Sequence, residues 1–302
     1  MHEEHRMIVH HAKECVSCGM CVSVCIRRNF EFEDGLVRLR GDAGDNCLGC
    51  GHCLAVCPEE GALSLTEYGH DKLEPCADLP DDDAVLHLIR SRRSIRFYKD
   101  AGPSRVQIAK LLEAARYTPT GHNSQDFGFV VVYGRERVRA LGECALKFYR
   151  RLIRLSDNPF GRWIIRLAAG RGTFETFMKM APRLKRHLAI FDETGRIDMV
   201  WDAPCLVFVY GPDKPDSAVN AILAGHTVMI QAHAMGLGTC ILGLLKAGLD
   251  HAGRGVKRSG VEIPAGHKLH LIMSLGVPRA DIKFHKIPPR REPRVQFLGD
   301  IP

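Results

Sequence analysis

The chain has 302 residues, 45% hydrophobic content and a formal net charge of +7. That is enough for one sizeable core plus a small module, and too apolar for a disordered tail. No run of about 18 apolar residues occurs, so no helical membrane span is expected. The charge is uneven: residues 1–66 hold 6 Lys+Arg against 10 Asp+Glu, whereas residues 135–198 hold 15 against 7. The latter tract carries no zinc-finger, helix-turn-helix or RNA-binding signature, and nucleic acid is not an expected partner.

Residues 1–66 contain eight of the twelve cysteines. They fall in two near-identical runs, Cys15-x2-Cys18-x2-Cys21-x3-Cys25 and Cys47-x2-Cys50-x2-Cys53-x3-Cys57-Pro58. This is the spacing of a two-cluster ferredoxin, in which three closely spaced thiolates hold one cuboidal cluster and the fourth reaches across to the other. Cys15, Cys18, Cys21 and Cys57 are expected on one [4Fe–4S] cluster, and Cys47, Cys50, Cys53 and Cys25 on the second. Zinc is the minor alternative, because zinc sites usually present separated C-x2-C pairs. A disulfide framework suits short secreted domains, and no apolar signal segment precedes Met7. The first run ends Cys25-Ile26 where the motif usually has Pro. Cys76, Cys144, Cys205 and Cys240 show no ligand spacing, and the last two sit among apolar residues as core cysteines do.

Residues 67–83, with Pro75, Pro80 and three consecutive aspartates, read as a linker, with Asp83 capping a helix from Ala84 to Arg92. A domain spanning 84–302 follows. It begins with Ser91-Arg92-Arg93-Ser94-Ile95-Arg96-Phe97, whose guanidinium forks suit an anion such as phosphate. A helical stretch from Ser104 to Ala115 leads to Pro119-Thr120-Gly121-His122-Asn123-Ser124-Gln125, a polar loop suited to a heterocycle edge. The tract 135–198 is basic and helical. Within it, Leu146–Ala169 interleaves aromatic and aliphatic residues with arginines, a pattern that suits an anionic bilayer surface. Core packing or a subunit interface accounts for the same pattern, so a membrane surface is not expected. Then come the strand Ala203–Val209, the helix Asn220–Met235 with His226 and His233 on one face, the turn Gly236–Cys240, the strand His270–Pro278, and Arg290-Arg291.

In this order the pieces resemble the nitroreductase-like FMN enzymes over roughly residues 84–297. The resemblance implies an α+β fold, a mostly antiparallel sheet wrapped by helices, fused to the ferredoxin-like module. It also implies a cofactor site in which Arg92, Arg93, Arg290 and Arg291 hold the FMN phosphate end and Ser94 the ribityl or ring edge. Arg96 would face the N1–C2 side, Asn123 and Gln125 the polar ring edge, and Leu242, Gly243 and Leu244 would pass close to N5. Homodimers with FMN at the subunit interface are common in the family. No G-x-G-x-x-G follows a strand, which leaves NAD(P)H use undecided.

The expected function is an iron–sulfur flavoprotein oxidoreductase. Electrons would pass from two [4Fe–4S] clusters to FMN and on to an electron-poor small molecule: a nitroaromatic, quinone or enone. The alternative is an electron-transfer or redox-sensing adaptor docking an acidic carrier, a ferredoxin or flavodoxin, at the basic segment. Cysteine in ligand spacing without an export signal points to a reducing cytoplasm under low oxygen.

Overall fold

The computed structural model describes residues 8–252 and 260–299. The chain divides into two compact units, one formed by the residues up to Pro80 together with Pro119–Gln125, the other by Asp81–Thr118 and Asp126 onward.

The first unit has little regular structure. Strand β1 (Ile8–His10) will pair with the fourth strand of the chain, Leu63–Leu65 (β4), antiparallel, with Ile8 opposite Leu65. Strands β2 (Phe30–Glu33) and β3 (Leu36–Leu39) form a hairpin. Three helices of four or five residues, α1 (Met20–Val24), α2 (Ala43–Asn46) and α3 (His52–Ala55), are each about one turn long. The small core is Ile8, Phe30, Val37, Leu54, Leu63 and Leu65, with half-buried cysteines packed against it. Such a core is too small to hold eighty residues by itself, so ligation by the cysteines must add stability.

Two glycines set the entry to the cysteine helices. Gly19 and Gly51, each following the second cysteine of its run, have φ of 78° and 72°. A Cβ at Gly19 would meet the Phe32 ring at 2.5 Å, and one at Gly51 the Tyr68 hydroxyl at 2.5 Å. The linker tract 67–83 contains a 3-10 turn at His70–Lys72, and Tyr68 and Leu73 pack against the small core.

In the second unit, α4 spans Asp82–Ser91, and its N-cap is Asp81, which accepts from Ala84 N at 3.0 Å. Asp83, the expected cap, lies inside the first turn, because Asp81 is the residue with extended ψ that an N-cap requires. Helix α5 (Arg105–Arg116) opens with a capping box of Ser104 and Gln107. The sheet runs β5 (Gly128–Tyr133), β6 (Cys205–Pro212), β8 (His267–Gly276), β7 (Gly238–Ile241), every neighbouring pair antiparallel. The glycine-rich stretch expected as a turn is therefore an αL glycine at Gly236, φ 71°, followed by β7.

Between β5 and β6 the basic tract forms three helices, α6 (Arg135–Ser156), α7 (Pro159–Ala169) and α8 (Arg171–Thr194). A break at Asp157–Asn158 divides the amphipathic stretch: the Asn158 side chain caps α7 by accepting from Gly161 N at 2.7 Å. Helix α9 (Pro215–Ala234) joins β6 to β7, and α10 (Gly243–Ala252) follows β7. Strand β6 is apolar without alternation, because helices cover both faces of the sheet. Leu206 and Phe208 pack towards α6, α8 and α10, while Val207 and Val209 pack towards α5 and α9. Asp126 is the acceptor for Ser217 Oγ and, at 2.9 Å, for Asn220 Nδ2 of α9.

Candidate functional site

The eight run cysteines separate into two sets. Cys15, Cys18, Cys21 and Cys57 line one cavity, and Cys25, Cys47, Cys50 and Cys53 another. Electrostatics sorts the thiols in the same way. Burial pushes the Cys53 thiol up to about 12, with Cys47, Cys50 and Cys25 adding to it. Burial also raises Cys21 and Cys57, and the cysteines acting on each belong to its own set. A cationic metal group reverses these shifts by stabilising the thiolates. Backbone N–H groups of Ser17 and Gly49 donate to Cys15 Sγ and Cys47 Sγ, each at 3.4 Å, at matching places in the two runs, and Asn29 N donates to Cys25 Sγ at 3.4 Å. Among the described residues no three His, Cys, Asp or Glu converge as closely as a single ion needs. The thiols ring a cavity, the arrangement a polynuclear cluster requires.

In the second unit, residues 94–99 lie along the β7–β8 end of the sheet. Ile95 N donates to Thr239 O at 2.9 Å, and Lys99 N to Val277 O at 2.8 Å. Gly238 permits this approach, since a Cβ there would meet Ile95 at 2.6 Å. Tyr98, 5% exposed, fastens the segment: its hydroxyl lies 2.6 Å from Ile95 O and 2.7 Å from Ser274 Oγ.

The arginines so placed are not neutralised by one another's surroundings. Burial lowers the Arg92 pKa, and the Arg93 and Arg290 charges lower it further. Arg93 spends Nη1 on the carbonyls of Arg90 (2.8 Å) and Arg92 (2.7 Å). Its Nε and Nη2 are buried without a hydrogen-bond partner among the described residues. Three cations held together with unspent donors form a site for a doubly charged oxyanion such as a phosphate monoester.

Arg96 stands over the Trp201 ring, 5.4 Å from its centroid. Both line a cavity of about 190 Å³ with Arg183, His187, Cys240, Gly243 and Leu244. A larger cavity of about 600 Å³ shares Arg96 and Trp201 and is lined by Lys99, Arg135, Arg196 and Arg279. Leu242 N is committed to Ile272 O at 2.9 Å, so the first-turn N–H groups of α10 begin with Gly243 and Leu244. The Leu244 carbonyl is fixed from behind by Tyr149 Oη at 2.8 Å.

Of the residues expected around one site, Arg92, Arg93 and Arg290 act on one another, Ser94 bridges to Thr239, and Arg96, Leu242, Gly243 and Leu244 line one cavity. Arg291 is exposed. Asn123 and Gln125 belong to the first unit. The Asn123 amide donates to Leu48 O and Gly49 O, both at 3.1 Å, and accepts from Gln125 Nε2 at 3.1 Å. The polar loop thus binds the carbonyls of the second cysteine run, with His122, Asn123 and Gln125 at positive φ.

His187, Arg183 and Trp201 were not legible as site residues. His187 is 13% exposed at the side chain, and neither ring nitrogen has a hydrogen-bond partner among the described residues. Burial keeps its pKa below the ordinary histidine value, outweighing the attraction of Asp198 at 3.9 Å. Arg183 and His187 come from α8, where the sequence showed only a basic helical tract, and Trp201 from the loop before β6.

Residues 89–277 match the nitroreductase family, which is more than half of the chain. The chain belongs to that family. Residues 7–58 of this nitroreductase-family chain match a 4Fe-4S dicluster domain. A protein of Archaeoglobus fulgidus, provisionally named NADH dehydrogenase/NAD(P)H nitroreductase, is 34% identical over 94 residues, covering 27% of this chain and 53% of that protein. A 4-nitrobenzoate reductase of a Nocardioides species is 34% identical over 79 residues, 26% of this chain and 32% of that protein. The chain therefore spans about half or less of these curated relatives. The FMN-bound nitroreductase from Bacteroides fragilis has the same fold, with a TM-score of 0.53 at 18% identity over 73% of this chain and 100% of that one.

Proposed function

We propose that this chain is an iron–sulfur flavoprotein oxidoreductase carrying two [4Fe–4S] clusters and one FMN. The observation that carries the reading is the pairing, in one chain, of two four-cysteine cavities with an arginine cluster whose donors are unspent. Arg92, Arg93 and Arg290 would hold the FMN phosphate, which fits the mutual repulsion of the half-buried Arg92 and Arg93 with the exposed Arg290 and the two unspent donors of Arg93. Arg96 would stand at the pyrimidine side, where a cation favours negative charge on the reduced ring. Gly243 and Leu244 would offer N–H groups, aided by the α10 dipole.

When bound, FMN supplies the link between clusters that move single electrons and an acceptor that takes two. The chain's task is then to position and to exclude. Trp201 and Met199 wall the cavity, and His187 lines it with neither ring nitrogen hydrogen-bonded among the described residues. The acceptor class is an electron-poor small molecule, of which nitroaromatics are favoured by the relatives' names, in a cytoplasmic homodimer. An acidic protein carrier and NAD(P)H are the two electron sources that the test compares.

Anaerobic preparation with metal and flavin quantified should give about eight iron and one FMN per chain. Clusters reduced chemically or by NAD(P)H should then reoxidise when a nitroaromatic or quinone is added. Flavin that reduces but turns over no acceptor would overturn the enzymatic reading.

A further inference from the structure

Helix α7 and the groove beside it are not used by the proposed reaction, and the fold places them in an unexpected way. Core packing of its aromatic residues would bury them, yet Phe160, Trp163 and Leu167 of α7 are 69%, 58% and 72% exposed. At spacings of three and four they form one stripe on the helix. Phe160 and Trp163 stack, with ring centroids 5.9 Å apart.

The stripe continues into an apolar groove. Ile164, Ile165 and Ala168 of α7 line a cavity of about 430 Å³ with Phe174 and Phe177 of α8 and Phe148 of α6. On the other flank of α7 stand Arg162 and Arg166, both exposed. From Lys147 to Arg186 there are eleven Lys+Arg and two Asp+Glu, a net of +9. Both carboxylates are spent: Asp157 on Lys185 at 2.8 Å and Glu175 on Arg171 at 2.9 Å.

We propose that α7 and its flanking helices dock on an anionic lipid bilayer surface. Phe160, Trp163 and Leu167 would enter the headgroup boundary, and Arg151, Arg154, Arg162 and Arg166 would meet lipid phosphates. Exposed aromatics beside arginines are the composition of interfacial helices, and Trp prefers that depth. A symmetric contact with a second copy is disfavoured by charge, since it would set one +9 tract against another. No helix among the described residues is long and apolar enough to cross a membrane, so the attachment is to the surface.

Flotation of the anaerobically prepared holoprotein with vesicles tests this. Vesicles of phosphatidylglycerol and phosphatidylcholine should carry the protein up, pure phosphatidylcholine should not, and salt should release it. The variant F160S/W163S/L167S and the charge variant R154E/R166E should each bind at least about tenfold more weakly. Both change exposed residues, so unaltered iron and flavin content shows that they fold. The chain has two tryptophans. Their emission should shift to the blue on anionic vesicles, and W163F should lose that shift while W201F keeps it. Absence of flotation, or unchanged flotation of F160S/W163S/L167S, overturns the proposal. So does concentration-dependent self-association that the triple variant abolishes without any lipid binding, which would make the face a subunit contact.

Discussion

The hydroxyls of Tyr98 and Ser274 lie 2.7 Å apart in the core, joining the arginine-bearing segment to the third strand of the sheet. Ser274 Oγ also reaches the Cys240 carbonyl at 3.3 Å, so one network ties Ser94–Lys99 to β8 and to the end of β7. Burial keeps the Tyr98 phenol protonated far above its ordinary range. Y98F should therefore cost about 1–2 kcal/mol of stability and loosen flavin retention, because Ile95 O loses the Tyr98 donor and Ser274 keeps only its bond to the Cys240 carbonyl. The thermal midpoint and the flavin dissociation constant measure both, and a fall in midpoint with unchanged flavin affinity would mean that the network does not position the arginines.

Arg93 offers the sharper test of the cation cluster. R93A removes two buried, unspent donors and should weaken FMN binding by about 1.5–3 kcal/mol, the range for charge-assisted hydrogen bonds. R93K keeps the charge but not the fork and should recover only part. Riboflavin, which lacks the phosphate, should bind wild type and R93A alike.

Thiol pairing can be read from double variants. C25A and C57A should each lower iron from about eight towards about four per chain. Adding C47A to C25A should change little further, since both serve the same cavity, whereas adding C15A should remove the second cluster as well. The reverse pattern would place Cys25 with its own run.

Asn123 separates two roles for the polar loop. Its amide is spent on Leu48 O and Gly49 O, next to Cys47 and Cys50. N123A should shift the potential or oxygen sensitivity of the cluster held by Cys25, Cys47, Cys50 and Cys53, and leave FMN affinity unchanged to within about twofold, because its amide is committed to the cysteine loop. A selective loss of FMN would return Asn123 to the flavin.

His187 predicts a pH dependence. Its folded pKa lies below the unfolded value of about 6.5, so below that pH the unfolded chain binds a proton that the folded chain refuses. The stability it permits is present above about 6.5 and is lost as pH falls through the lower folded value. H187Q should flatten the thermal midpoint between pH 7 and 5. If His187 also faces the acceptor, the variant should lower kcat more than it raises KM.

The two cysteine runs carried their chemistry in the sequence, because ligand spacing within seven residues is a local property. The arginines at 92, 93 and 96 were visible for the same reason, as was the apolar core of β6. Asp81 as helix cap was misplaced by two residues, since three consecutive aspartates look alike until the backbone decides which one is extended.

Sequence alone therefore determined the ligand-bearing segments and the order of elements, which depend on spacing and periodicity. The crossed cysteine sets were expected from the run spacing and are the sets that share each cavity, whereas only the tertiary structure decided that Asn123 turns to the cysteine loop and that His187 lines one cavity with Arg96. It also decided that Phe160, Trp163 and Leu167 face outward. The physical reason is that an amphipathic period states which residues share a helix face, whereas what that face meets is set by elements distant in the chain.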